Sequence, residues 1–104
     1  MAFNATAKVE ADTVIITMRG ELDAAAAPVL RDLVDKNADS QTRRLVLMTK
    51  DLEYIASAGI RVLVFAKQKM GAHVDIYVIG AQPQVMDTLE KTGVNRSVIL
   101  QDTY

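Results

Sequence analysis

The chain has 104 residues, 50% of them apolar and only 24% charged, which is enough apolar material for one packed core and fits a single domain over residues 1–104. Its 12 basic and 13 acidic residues nearly cancel, which argues against direct nucleic-acid binding, a role that calls for a basic face. The absence of cysteine excludes disulfides, zinc–thiolate sites and thiol redox chemistry, and no apolar run approaches the ~20 residues that membrane insertion requires.

The first residues, Met1-Ala2-Phe3-Asn4, have neither the basic nor the apolar part of a signal peptide, so a cytoplasmic location is expected. Residues 3–9 alternate, with Phe3, Ala5, Ala7 and Val9 on one face and Asn4, Thr6 and Lys8 on the other. After Glu10-Ala11-Asp12 the alternation resumes, with Val14, Ile16 and Met18 facing inward. Two period-2 runs joined by a few polar residues predict an antiparallel hairpin, and Gly20 is expected to end its second strand before Glu21-Leu22-Asp23.

Ala24-Ala25-Ala26-Ala27-Pro28 then leads into a helix that starts near Ala26, since proline is tolerated in a first helical turn. Val29, Leu30, Leu33 and Val34 form its expected buried stripe, and Asn37-Ala38-Asp39-Ser40 closes it. Leu45-Val46-Leu47-Met48 is too continuously apolar for a one-sided strand and suits a central parallel strand covered on both faces. Asp51 and Glu53 are expected in a polar loop behind it.

Tyr54-Ile55-Ala56-Ser57-Ala58-Gly59-Ile60-Arg61-Val62-Leu63 is the stretch around which the chain is organised. A strand-type pair passes through four small residues into an apolar helix that runs to about Met70 and stops at Gly71. Serine is a preferred helix cap, so Ser57 reads either as a structural N-cap or as a switch displayed where free N–H groups and the helix dipole welcome a phosphate. Gly59 costs roughly 1 kcal/mol against alanine inside a helix, and close approach by a partner or an anion is one candidate for what offsets it. Ile60, Val62, Leu63, Val64, Phe65 and Ala66 cover more than one helical stripe. Either this helix is central, the preferred reading, or part of its surface is kept for a partner.

Val74 to Ile79 predicts another buried strand ending at Gly80. Gln82-Pro83 opens a further helix with Val85, Met86 and Leu89 inward and Gly93 as its stop, and Val98-Ile99-Leu100 is a last short apolar segment. The order gives an α/β fold, an N-terminal antiparallel hairpin continuing into a mixed sheet of 4–5 strands with 3–4 helices.

Chemistry of a catalytic kind is sparse. His73 stands alone in a loop, the glycines form no phosphate-binding pattern, and no Ser/His/Asp or metal cluster can be assembled by spacing. Asp51 and Glu53 read as a solvated loop, and Met18, Met48, Met70 and Met86 as core. Arg61 is either a solvated helix residue or a partner contact. No enzymatic activity, cofactor or metal is expected.

From the hairpin and Gly20-Glu21-Leu22-Asp23 to the serine turn and the Gly80–Gly93 stretch, nearly the whole chain resembles the STAS domain of bacterial anti-sigma factor antagonists. In that family a GHKL-type serine kinase, which is the anti-sigma factor, phosphorylates the serine, and a PP2C-type phosphatase restores it. The unphosphorylated antagonist binds the kinase and frees its target. The resemblance implies that Ser57 is the phosphoacceptor, that Asp23 is its acidic neighbour, and that Gly59 allows close approach at the helix start. It places Ala56, Ala58 and Arg61 in the partner-facing surroundings. Two positions depart from the common pattern, Ala56 where an aspartate often precedes the serine and Met48 at the end of the preceding strand. The alternative is a STAS docking subunit of a transporter or signalling complex that is not phosphorylated.

Overall fold

The computed structural model describes residues 2–104. Met1, the first residue of the segment read for a signal peptide, lies outside the described residues. In chain order the elements are strands β1 (Asn4–Glu10) and β2 (Thr13–Leu22), helix α1 (Ala27–Asn37), strand β3 (Arg44–Ile55), helix α2 (Ser57–Met70), strand β4 (Asp75–Ile79), helix α3 (Pro83–Thr92), a 3-10 turn at Val94–Arg96 and strand β5 (Ile99–Gln101). The sheet order follows the chain, β1-β2-β3-β4-β5. Only the β1–β2 hairpin is antiparallel; β2, β3, β4 and β5 run parallel, joined by helical crossovers.

The alternation in β2 sends Val14, Ile16, Met18 and Leu22 into the core, where they meet Leu45 and Leu47 of β3 and Ile76 and Val78 of β4. Leu30 and Val34 of α1, Leu63 and Ala66 of α2, and Val85 and Leu89 of α3 close that core from the helical side. The helices form one layer, α1 against α2 and α2 against α3. β3 is central and parallel as expected, but the helices cover one face only. On the other face Val46 is buried between its strand partners Ile15 and Tyr77. Tyr77 in turn packs edge-on against Tyr104, with ring centroids 5.2 Å apart.

Several expectations need correction. Gly20 does not end the second strand. It lies inside β2 with φ 86°, at a register irregularity before Glu21, a conformation that glycine adopts without steric cost. Asp51 and Glu53 are not in a loop, because β3 continues through them to Ile55 and turns both outward, and Met48 accordingly lies within that strand and not at its end. Val29, expected inside, is 49% exposed on the outer side of α1. Met18 is buried as expected, whereas Met48, Met70 and Met86 are only partly buried. In α2, Ile60, Val62, Leu63 and Ala66 are buried but Val64 and Phe65 are 41% and 42% exposed. α2 is thus central in the helical layer, between α1 and α3, as preferred, and still leaves these two side chains partly exposed, with the Arg31 guanidinium of α1 over the Phe65 ring.

Candidate functional site

The site is built where β2 and β3 end together. Two irregularities set its geometry. Thr17 pairs with Met48 and Arg19 with Asp51, then Gly20 pairs with Leu52 and Glu21 with Tyr54. At each step β3 spends one more residue than β2, and such bulges bend a strand and re-aim its side chains. The result is a last rung between Leu22 and Ile55, both buried. The Ala56 N–H then donates to the Leu22 carbonyl at 2.9 Å. Asp23 and Ser57 are the residues that directly follow the two ends of this hydrogen bond. Parallel neighbours lie about 4.8 Å apart, so the topology brings the two side chains to the same edge of the sheet.

Ser57 is not the cap of α2. The N-cap is Ala56, with extended backbone at φ −89° and ψ 168°, and Ser57 is the first helical residue. The first intrahelical bond runs from the Ile60 N–H to the Ala56 carbonyl at 3.1 Å. The N–H groups of Ser57, Ala58 and Gly59 therefore have no acceptor within the helix, and the first turn carries no acidic residue. Ser57 is exposed, Ala56 and Ala58 are half-buried, and Arg61 is exposed one turn further on. No described residue hydrogen-bonds the Ser57 hydroxyl, so it stands open to an incoming group.

Gly59 is buried, and the chain itself explains why a glycine stands there. A Cβ at this position would lie 2.8 Å from Leu22 Cγ and 3.0 Å from Ile55 Cγ1. Close approach is indeed what Gly59 permits, but by the ends of β2 and β3. Neither a partner nor an anion is needed to account for it. This contact fixes the height at which the first turn of α2 rides on the sheet, and with it the position of Ser57.

Asp23 is exposed, and its carboxylate is committed locally. Its Oδ1 accepts from the Ala26 N–H at 2.9 Å, and its carbonyl accepts from the Ala27 N–H at 3.0 Å. Asp23 thus organises the turn into α1, whose N-cap, Ala26, contributes no side-chain bond of its own. It reaches the Ser57 edge through its place in the chain, with no direct hydrogen bond to the serine among the described residues.

Gln84, the second residue of α3, was not singled out from the sequence. Its Oε1 accepts from the Ile55 N–H at 3.1 Å, and its amide nitrogen donates to Thr88 Oγ1 at 3.1 Å. The serine turn is therefore held on both sides, by the Leu22 carbonyl from β2 and by Gln84 from α3. The available signal was weak, a glutamine after the proline that opens a helix. His73 is exposed in the loop before β4, as expected, and no group of three or more His, Cys, Asp or Glu side chains is arranged to hold a metal among the described residues. No helix among the described residues is long and apolar enough to cross a membrane.

A family model described as the STAS domain matches residues 4–104. Among solved structures, the fold is similar to an anti-sigma factor antagonist from Mycobacterium paratuberculosis, with TM-score 0.86 and 22% identity over 98% of this chain and 87% of that one. It is also similar to the phosphorylated form of the Bacillus cell fate determinant SpoIIAA, with TM-score 0.68 and 17% identity over 95% of this chain and 90% of that one. A third similarity is to the murine Solute Carrier 26 family member A9 anion transporter, with TM-score 0.71 and 20% identity over 88% of this chain but 16% of that one. At these identities the likeness shows the fold. No curated protein matches the chain by sequence.

Proposed function

The chain belongs to the STAS domain family, and from that premise we propose that it is an anti-sigma factor antagonist switched by phosphorylation of Ser57. One observation carries the reading: an exposed serine with an unbonded hydroxyl is the first residue of a helix whose leading N–H groups are open, on a turn made only of small residues.

The partners are an anti-sigma factor that is itself a GHKL-type serine kinase, and a PP2C-type phosphatase that reverses its action. In the forward step the γ-phosphoryl group of ATP forms a bond to Ser57 Oγ, the bond to the β-phosphate breaks and ADP leaves. The hydroxyl proton goes to a base of the kinase; no described residue of this chain hydrogen-bonds that hydroxyl. Within this domain the added phosphate, with roughly −1.5 to −2 charges, is tolerated, since open N–H groups and the positive end of the helix dipole face it. A partner packed over Ala56 and Ala58 meets the same group as bulk and as a charge to be desolvated. A penalty of about 3 kcal/mol weakens binding more than 100-fold.

The domain acts in transcription regulation as a bacterial cytoplasmic binding protein and performs no catalysis of its own. The departures at Ala56 and Met48 favour a second reading, a docking subunit that binds constitutively through the same face. Incubation with ATP and the kinase, followed by intact-mass measurement, separates the two. A gain of one phosphate that is lost in Ser57→Ala supports the switch; tight binding with no mass gain supports constitutive docking.

A further inference from the structure

Between α1 and α2 runs a groove whose two halves differ in charge. The half nearest the start of α2, about 410 Å³, has small residues such as Ala24, Pro28 and Ala58 along its walls, and among the described residues Arg31 and Arg61 are the only charged ones that line it. The other half, about 340 Å³, passes between Val34, Ala66 and Met70. Arg31, Val62 and Phe65 border both halves, and each volume is of the size that small-molecule sites occupy.

Arg31 sits where the halves meet. Its guanidinium carbon is 4.1 Å from the centroid of the Phe65 ring. Stacking uses the flat face of a guanidinium and leaves the N–H donors in its plane available. No described residue accepts a hydrogen bond from Arg31 or Arg61, and neither forms an ion pair with one. At the far end Lys69 is paired with Asp35 at 2.8 Å, the Asp39 carboxylate accepts from the Gln41 N–H at 2.8 Å, and His73 completes the wall. Unneutralised positive charge is thus confined to the end beside Ala58, and an apolar channel leads away from it.

We propose that this groove binds a single-chain anionic amphiphile, with its carboxylate head between Arg31 and Arg61. The chain runs along α2 past Val62 and Ala66 toward Met70. From Ala58 to Met70 the helix covers about 18 Å, a length that suits an extended chain better than a compact ring system. Each methylene buried along that path adds affinity, and the two arginines select the sign of the head group. The inference does not rest on the switch at Ser57, although the head-group end borders Ala58 and Arg61 of the same face.

The test is calorimetric titration of the intact protein with three probes below their micellar concentrations: myristate, butyrate with the same head and little chain, and tetradecyltrimethylammonium with the same chain and the opposite charge. Myristate is expected to bind saturably at one per chain, and the other two at least tenfold more weakly. Arg31→Gln combined with Arg61→Gln changes only exposed positions and is expected to weaken myristate at least tenfold. Ala38→Leu, at a half-buried position lining the apolar half, is expected to weaken myristate while leaving butyrate unchanged. Absence of saturable myristate binding, equal binding of the cationic probe, or indifference to the double arginine substitution would overturn the proposal.

Discussion

Gly59 of α2 and Leu22 of β2 are packed so closely that a Cβ on the glycine would lie 2.8 Å from the leucine Cγ. Leu22 is fully buried, so its branched carbon has nowhere to go. Gly59→Ala should therefore destabilise the fold by about 1–3 kcal/mol from overpacking, against a helix-propensity gain of about 1 kcal/mol. Urea unfolding checks the net loss, and a cycle with Leu22→Ala checks its cause. The double variant should lose less than the sum of the two single ones; strict additivity would show that the two positions do not meet.

Asp23 invites a separation of charge from structure. Asp23→Ala removes the nearer of two acceptors for the Ala26 N–H, leaving the Asp23 carbonyl at 3.2 Å, and should cost up to about 1 kcal/mol, the range for loss of a helix-entry cap. Asparagine keeps that acceptor, so Asp23→Asn should stay within about 0.5 kcal/mol of the parent in thermal unfolding. Under the switch reading, Asp23→Asn alters the rate of Ser57 phosphorylation without altering stability.

At Gly20 the positive φ sits in the middle of a paired strand. Gly20→Ala should cost about 1–2 kcal/mol in chemical denaturation, the range for placing a side chain in that region. Because the irregularity helps bring Leu22 level with Ile55, amide exchange near Ala56 should also quicken. Unchanged exchange there would separate the bulge from the serine turn.

Ser57 makes no capping bond, which distinguishes a display residue from a structural one. Ser57→Ala should change stability by less than about 0.5 kcal/mol, far from the ~1 kcal/mol typical when a true cap is lost. Ser57→Asp should be neutral or stabilising by about 0.3–1 kcal/mol, because a negative charge enters the first turn of a helix. Differential scanning calorimetry of both variants checks this, and a large loss in either would mean that the hydroxyl is structural.

Much of the architecture is legible in local periodicity. The hairpin follows from the alternation in residues 3–9 and 13–18, and the helix stops at Gly71 and Gly93 follow from C-terminal glycines. What escapes is set by pairing between distant strands. The second half of β3 contains Asp51, Glu53 and Tyr54, whose polar or exposed side chains look like a loop until Arg19 and Glu21 are seen opposite them. Gly20 looks like a terminator for the same reason. Val29 fits the helical stripe of α1, but the sheet and α2 contact the other side of that helix. At the serine turn the residues are evident from composition, whereas their fixation is not. The Leu22 contact with Gly59 and the Gln84 bond to Ile55 join parts of the chain that no local pattern connects.

The central claim is tested most directly by the affinity of one kinase partner for this protein in two forms, unmodified and stoichiometrically phosphorylated on Ser57, measured by calorimetry in the same buffer. The account predicts that phosphorylation weakens binding at least 100-fold, a difference of about 3 kcal/mol, while the melting temperature of the free domain hardly moves. Equal affinities for the two forms would contradict it.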